Sequence, residues 1–193
     1  MVTRLRYGNT NTFLIRGSRG SLLVDTDYAG TLPLFYKAIK AAGIAVRDID
    51  YVLATHYHPD HMGLVSELMA QGVKLLLVDV QQNDVHYSDR IFERDKIPYV
   101  PIAETQATVI SCADSRAFLR HLGIDGEICR TPGHSADSVS LFLDEGVCFV
   151  GDLEPIDYLA GYEENLQLEA DWELVLAHEP VTVYYAHSPA THF

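Results

Sequence analysis

Long apolar segments are absent from this chain of 193 residues. No hydrophobic run approaches the roughly 20 residues that are needed to span a bilayer. The N-terminal residues 1–6 include two arginines, but no apolar stretch with a small-residue cleavage site follows them. Hydrophobic residues still make up 48% of the chain, which is an ordinary share for a folded core. We therefore predict one globular domain over residues 1–193, without a membrane span or a secretory signal, in the cytoplasm.

Positive charge is also scarce. The chain has 14 Lys and Arg residues against 27 Asp and Glu residues, which gives a formal net charge of −13. A protein that binds a nucleic-acid backbone needs clustered Lys and Arg, so the composition argues against a nucleic-acid partner. The charge describes the average surface only, because bound dications would make a site locally positive.

Cysteine is rare, and the spacing of the cysteines does not suggest pairs. Cys112, Cys129 and Cys148 are an odd number, and no Cys-x-x-Cys motif occurs. This spacing argues against a disulfide framework and against a thiolate zinc site. Cys129 and Cys148 lie in apolar runs typical of strands, so we interpret them as small hydrophobic side chains.

Hydrophobic periodicity predicts a layered α/β chain. In the first half it indicates strands over residues 12–16 and 21–25 joined by a turn, a helix over 32–42, a strand over 49–54, a helix from residue 64 towards Gly72, and a strand over 73–78. Residues 79–95 are compatible with a helix, residues 97–108 with an irregular segment or an edge strand, and residues 115–122 with a short helix or a loop. The second half indicates strands over 127–130, 138–143, 147–150 and 181–186 and a helix over 166–177, with Trp172, Val175 and Leu176 on its inner face.

The most informative segment is residues 55–61, where a predicted strand ends and a helix begins. Its metal-binding side chains are His56, His58, Asp60 and His61. Residues two apart in an extended segment point the same way, so both imidazoles of His56 and His58 can face one metal. Imidazoles and carboxylates are the usual ligands of zinc and related hydrolytic metals. By itself the segment serves either one metal or two.

Further candidate ligands follow the ends of other predicted strands. His134 follows the strand over 127–130, Asp152 the strand over 147–150, and His187 the strand over 181–186. Loops at strand ends converge over a rigid scaffold in layered α/β folds. Asp25 also ends an apolar strand, where a carboxylate either caps a turn or reaches toward a site.

These motifs resemble the metallo-β-lactamase-fold superfamily over nearly the whole chain. The matching residues are His56-x-His58-x-Asp60-His61, Gly133-His134, Gly151-Asp152 and Ala186-His187, and Thr131-Pro132-Gly133-His134-Ser135 is similar to the glyoxalase II-like branch. The resemblance implies a four-layer αβ/βα sandwich. It also implies a first metal held by His56, His58 and His134, a second held by Asp60, His61 and His187, and a bridging Asp152. A hydroxide between the metals is then the nucleophile, and Asp60 orients it.

The same resemblance narrows the reaction class. A bridging carboxylate resembles the pattern of the dinuclear esterase, thioesterase, lactonase and phosphodiesterase branches. The resemblance therefore favours the reactions of these branches over β-lactam hydrolysis. The sequence departs from the family at Asp25-Thr26-Asp27, where Asp-x-Gly is common, and at Pro155, where the lactonase branch often has Tyr. Only six residues follow His187, whereas glyoxalase II proper carries a helical extension, which disfavours glutathione thioesters.

Three hypotheses follow. The first is a dinuclear hydrolase that uses two divalent ions, with zinc favoured and manganese or iron permitted, on a small ester, thioester, lactone or phosphodiester. The second is a mononuclear iron enzyme similar to the persulfide dioxygenase-like branch, and the third is a non-catalytic metal-binding module. The substrate-binding residues are left open by the sequence, as are the roles of Tyr158, Tyr162 and His192 near the predicted site.

Overall fold

The computed structural model describes residues 1–161 and 164–193. Two β-sheets face each other, and helices cover their outer faces. This arrangement confirms the predicted α/β sandwich.

Over the described residues the first sheet has six strands, in the spatial order β1 to β6. Their bounds are β1 Val2–Arg6, β2 Asn11–Arg16, β3 Ser21–Val24, β4 Tyr51–Leu53, β5 Lys74–Val78 and β6 Thr108–Ile110. The first three strands run antiparallel, and β3, β4, β5 and β6 are parallel neighbours. The predicted unit of strand, metal-type loop, helix and parallel strand is therefore confirmed for β4 and β5.

The second sheet contains, in the described part of the chain, five strands in the order β11-β10-β9-β8-β7. They are β7 Gly126–Arg130, β8 Val139–Leu143, β9 Val147–Phe149, β10 Thr182–Tyr184 and β11 Thr191–His192. Only β9 and β10 are parallel, and the other neighbours are antiparallel.

The helices are shorter than the sequence predicts around the metal-type loop. They are α1 Leu32–Ala41, α2 Pro59–Met62, α3 Val65–Met69, α4 Asp89–Arg94, α5 Cys112–Leu122 and α6 Leu166–Ala177, and 3-10 turns cover Val46–Asp48, Asp79–Gln81, Glu104–Gln106 and Ile156–Gly161. None of the described helices is long and apolar enough to cross a bilayer.

Alternation along the strands produces the layers, because successive side chains point to opposite faces of a sheet. In β3, Leu22 and Val24 face the second sheet, while Leu23 packs on the helix side with Phe35 of α1. In the second sheet, Leu141 of β8 faces inward. The outward face of that sheet packs on α6 through Trp172, Val175 and Leu168. Three apolar layers thus separate helix, sheet, sheet and helix.

Several predictions need correction. The sequence missed β1, β6 and β11, which are edge or outer strands of two to five residues. Leu176 is 43% exposed and does not belong to the inner face of α6, where the buried carboxylate Asp171 lies instead. All three cysteines are free, with Cys148 buried and Cys112 and Cys129 half-buried.

Candidate metal centre

The loop after β4 carries the first four candidate ligands. Buried Val52 and Leu53 end the strand, and the chain stays extended at His58, with φ −72° and ψ 153°. Pro59 then opens α2 at a position where its fixed φ suits a helix and its missing N–H costs nothing. The sharp change from extended chain to helix sends His56 and His58 to one side and brings Asp60 and His61 in from the first helical turn.

A first group of ligand atoms forms where this loop meets the end of β7. The side chains of His56, His58 and His134 offer nitrogen atoms that all lie within 4.8 Å of one another. His134 Nε2 is 3.1 Å from His58 Nδ1. Three imidazoles at such distances have the donor set and spacing of a divalent metal site.

A second group lies beside the first. Asp60, His61 and His187 offer one oxygen and two nitrogen atoms within the same limit of 4.8 Å. His187 Nε2 is 3.2 Å from Asp60 Oδ2, and His61 is fully buried. His187 comes from the end of β10, so each group combines residues of both sheets.

Asp152 lies between the two groups. Its Oδ2 is 3.7 Å from His134 Nε2 and 3.9 Å from His56 Nε2 in the first group. Its Oδ1 is 3.3 Å from His187 Nε2, and its Oδ2 is 3.3 Å from His61 Nε2. The structure therefore brings together all seven residues that the sequence singled out, with one carboxylate between two sets of ligands.

Several of these atoms are buried without a hydrogen bond. Within the described part of the chain, His56 Nε2, His61 Nε2 and Asp152 Oδ1 have no hydrogen-bond partner. They approach one another without a hydrogen-bonding geometry. A buried polar atom without a partner costs roughly 1–3 kcal/mol, so such a cluster needs an explanation. Imidazole nitrogen and carboxylate oxygen converging on one volume fit divalent cations.

The surroundings lower the pKa of some of these histidines and raise that of others. Burial lowers the pKa of His56 well below its ordinary value, and the neighbouring imidazoles lower it further. Burial also lowers the pKa of His134. Burial opposes ionisation of His61 as well, but Asp25 and Asp152 outweigh it and raise the pKa of His61 to about 10. Contact with Asp60 raises the pKa of His187.

The two acidic residues remain ionised. Burial works against the charge of both, but His187 and His61 hold the pKa of Asp60 at about 2. The surrounding histidines, His61 first, likewise hold the pKa of Asp152 below its ordinary value. Neutral His56 and His134 and ionised Asp60 and Asp152 are the forms that bind metals.

Asp25 fixes the orientation of His61. Its carboxylate accepts hydrogen bonds from the backbone N–H of Thr55, at 2.7 Å, and from the Thr55 hydroxyl, at 3.0 Å, and lies 3.1 Å from His61 Nδ1. With Nδ1 held by this carboxylate, Nε2 is left to face the cluster. Asp25 has a φ of 58°, a region that L-residues rarely adopt, and strained backbone of this kind gathers at functional sites.

The Gly133 peptide, next to His134, is held by α6 and its N-cap residue, which the sequence did not single out. Asp171 accepts a hydrogen bond from the backbone N–H of Gly133 at 2.5 Å, and the Asn165 amide donates to the Gly133 carbonyl at 3.2 Å. A side chain on Gly133 would lie 2.8 Å from Asp171 Oδ2, so only glycine allows this close approach. Asp171 carried no sequence signal, because its partner lies 38 positions away.

Two other buried polar residues hold the metal loop, and neither was predicted. Asp137 accepts a hydrogen bond from the backbone N–H of Tyr57 at 2.7 Å. The Gln81 amide donates to the carbonyl groups of Ala54, at 3.0 Å, and Thr55, at 3.2 Å. The loop between β4 and α2 is thus fixed by contacts with both sheets.

A cleft of about 150 Å³ opens over the cluster. It is lined by His134, Gly151, Asp152, Leu153, Glu154, Pro155, Tyr185, His187 and Ser188. Across the loop, the exposed ring of Tyr87 lies 5.2 Å from the ring of His58. Of the residues left open by the sequence, Tyr158 is 61% exposed and is not among the described residues that line the cleft, and His192 contacts Thr182 at 3.1 Å instead. Tyr162 lies outside the described residues.

The family follows from a match that covers almost the entire chain. Residues 5–187 match the family model described as the metallo-beta-lactamase superfamily. The chain belongs to this superfamily. The match includes strands of both sheets and all seven candidate ligands.

Two named proteins are similar in sequence to this metallo-beta-lactamase superfamily chain. The Drosophila melanogaster protein named Beta-lactamase-like protein 2 homolog is 28% identical over 184 residues, covering 92% of this chain and 58% of the relative. The Emericella nidulans protein named Lactamase-like protein aptB is 34% identical over 152 residues, covering 77% of this chain and 41% of the relative. The chain therefore spans about half the length of these relatives.

Solved structures share the fold. The metallo-beta-lactamase family protein TTHA1429 from Thermus thermophilus superposes with a TM-score of 0.69 at 18% identity, covering 100% of this chain and 74% of that one. TTHA1623, crystallised in a di-iron-bound form, gives a TM-score of 0.69 at 22% identity, covering 100% and 94%. At these identities the likeness shows the fold alone.

Proposed function

We propose that this protein is a dinuclear metal-dependent hydrolase of a small ester, thioester, lactone or phosphodiester. The observation that carries the proposal is the placement of Asp152. Its carboxylate is close to both ligand groups: Oδ2 lies 3.7 Å from His134 Nε2 in the first group and 3.3 Å from His61 Nε2 in the second, and Oδ1 lies 3.3 Å from His187 Nε2 in the second. A carboxylate shared in this way suits a pair of metals rather than a single ion.

The residue assignment is part of the proposal. His56, His58 and His134 would hold the first ion, Asp60, His61 and His187 the second, and Asp152 both. When bound, two divalent ions supply a water acidified to a pKa of about 7 and polarise a carbonyl or phosphoryl oxygen. Zinc, manganese and iron all accept this mixture of imidazole and carboxylate, and zinc is our first choice.

The chain's own groups orient the attacking water. Asp60 is ionised, is partly accessible and has one oxygen in contact with His187. We assign it the role of accepting a hydrogen bond from the attacking water and orienting it. Neither a serine nor a cysteine nucleophile is required, and the free cysteines do not line the cleft in the described residues.

The shape of the site supports a small-molecule substrate. The cleft is shallow and partly polar, and Tyr87 offers an exposed aromatic surface beside His58. The acidic chain does not favour a nucleic-acid partner. A cytoplasmic location and a single domain over residues 1–193 belong to the same proposal.

Metal analysis and a substrate screen together test this function. Protein purified without added metal is analysed for its metal content and assayed on panels of esters, thioesters, lactones, phosphodiesters and β-lactams. Two ions per chain with turnover of one of the first four classes support the proposal. One iron per chain with oxygen consumption would favour the mononuclear alternative, and two bound metals without turnover on any panel would favour a non-catalytic module.

The pH dependence of metal binding separates the two groups. In metal-free protein at neutral pH, His61 carries a proton because its pKa is raised to about 10, and the raised pKa of His187 favours its protonated form. His56 and His134 are neutral because their pKa values are lowered. Only neutral imidazole binds a metal, so binding at the second group must release protons. We expect the affinity of that group to rise by about tenfold per pH unit for each proton released, and the affinity of the first group to rise less steeply because the pKa values of His56 and His134 are lowered.

Zinc titrations at pH 6, 7 and 8, combined with calorimetry in buffers of different ionisation enthalpy, measure this difference. His187→Ala identifies which transition belongs to the second group. Equal pH dependence for both transitions would contradict the assignment of protonated histidines to the second group.

A further inference from the structure

A buried carboxylate outside the candidate ligands organises the loop beneath the second group. Asp27 is 3% exposed and accepts three backbone hydrogen bonds. Its Oδ2 accepts from the N–H groups of Asn9, at 2.7 Å, and Thr10, at 3.3 Å, and its Oδ1 accepts from that of Tyr28 at 2.6 Å. Asp27 therefore fixes the connection between β1 and β2 to the end of β3.

That connection touches two of the candidate ligands. The carbonyl oxygen of Asn9 lies 3.2 Å from His187 Nδ1, at hydrogen-bond distance. The hydroxyl of Thr10 donates a hydrogen bond to the backbone carbonyl of Asp60 at 2.7 Å. Two residues that Asp27 holds by their N–H groups thus hold a histidine and an aspartate of the same ligand group.

The link to His187 runs through one peptide bond. The carbonyl of Asn9 and the N–H of Thr10 belong to the same amide group. The Asp27 carboxylate accepts a hydrogen bond from the N–H of this amide, and the carbonyl oxygen lies at hydrogen-bond distance from His187 Nδ1. Hydrogen bonds in series polarise one another, so a charge at one end strengthens the acceptor at the other. A stronger acceptor keeps the ring proton of His187 on Nδ1 and leaves the Nε2 lone pair facing Asp60 and Asp152.

Gly8 makes room for this arrangement. A Cβ atom at Gly8 would collide with Asp27 Oδ2, so any side chain there would displace the carboxylate. Asp27 also stands at the position where the family pattern commonly has glycine. In this chain the carboxylate follows β3, and a glycine on the neighbouring loop leaves space for it.

We propose that Asp27 is a positioning residue for the second metal, acting through the Asn9–Thr10 peptide on His187 and through Thr10 on Asp60. This inference rests on the proposed dinuclear function. It adds a residue that contacts neither metal nor substrate and that sets how tightly the second ion is held.

Competitive zinc titration against a chromophoric chelator tests the inference. The wild-type protein is compared with Asp27→Ala, Asp27→Asn and Gly8→Ala, and His187→Ala marks the second transition. We expect Asp27→Ala to weaken the second site by about 10- to 100-fold, the usual effect of removing a partner behind a ligand, and to leave the first site unchanged. Asp27→Asn keeps one accepting oxygen, so we expect its second-site affinity to lie between those of the wild-type protein and Asp27→Ala. We expect Gly8→Ala to weaken the second site as Asp27→Ala does.

Asp50→Ala is the matched control. Asp50 also accepts a backbone N–H, that of Ser21 at 2.8 Å, but it lies at the opposite end of β3 and β4. This variant should keep both zinc constants. Cobalt substitution adds a spectroscopic readout, because a displaced His187 changes the d–d bands of the second ion while those of the first persist.

The outcomes separate the two proposals. Wild-type protein that binds two ions, with unchanged constants and spectra in Asp27→Ala, overturns the role of Asp27 alone. Wild-type protein that binds a single ion overturns the dinuclear function and the inference with it. If Asp27→Ala does not fold, Asp27→Asn and Gly8→Ala are judged by the same titration, and unchanged second-site affinity in both overturns the inference.

Discussion

Replacement of Asp152 by alanine is expected to convert a protein that binds two metals into one that binds a single ion tightly, and to reduce hydrolysis by about 10³-fold. Within the described residues, Asp152 is the carboxylate that lies close to histidines of both ligand groups. Its loss removes the one negative charge that the two proposed ions would share and leaves five imidazoles clustered around one carboxylate. Removal of a residue that hydrogen-bonds to a metal ligand typically lowers metal affinity by about 10- to 100-fold. Removal of a ligand shared by two ions should therefore lower the affinity of the weaker site by more than about 100-fold.

Metal content after dialysis and turnover at saturating metal give the two measurements. Asp144→Ala is a suitable control, since Asp144 is an exposed carboxylate paired with Arg116 far from the cleft, and such surface pairs are worth about 0–1 kcal/mol. Two tightly bound ions in Asp152→Ala would remove the main support for the dinuclear proposal.

Asp60→Ala is expected to lower kcat by about 10²- to 10⁴-fold when the metal content is matched to that of the wild-type protein. The range is the usual contribution of a positioned acid or base. Asp60 keeps its charge because its pKa is held at about 2. It is 3.2 Å from His187, so the alanine variant would lose a proposed ligand atom as well as the group to which we assign the orientation of the attacking water.

The asparagine variant separates these contributions. Asp60→Asn keeps an oxygen that can accept a hydrogen bond but loses the charge and the capacity to take a proton. We expect its kcat to lie between those of the wild-type protein and Asp60→Ala, with folding unaffected in circular dichroism and thermal melts. Full activity of Asp60→Ala at matched metal content would contradict the orienting role.

Much of the architecture was predictable because burial leaves a periodic signal. The helix over 166–177 agrees residue by residue with α6, and the strand before the metal loop leads into it as predicted. The missed strands have weak signals for physical reasons. β6 has three residues and no fully buried side chain, and β11 has two residues, so backbone hydrogen bonds alone define them.

The candidate ligands were predictable because they cluster in sequence or follow strand ends. The residues that orient them were not. Asp171 reaches Gly133 from a helix 38 positions away, and Asp27 reaches the ligands only through the backbone of another loop. Such contacts depend on tertiary placement, and neither periodicity nor spacing in a single sequence encodes them. Asp25 was the partial exception, since a carboxylate ending a buried strand indicated a role at a turn or a site.

The division of the ligands between the two sheets has a mechanical consequence. His56 to His61 belong to the N-terminal half of the chain, whereas His134, Asp152 and His187 come from the C-terminal half. The backbone N–H of Val139 already bonds to the carbonyl of Thr55 across this seam, at 2.9 Å. Each ion in the proposed site would then act as a cross-link between two halves that are otherwise held together by apolar packing and a few hydrogen bonds. Binding energy becomes folding energy in such a design, so a chelator would act on this protein as a mild denaturant.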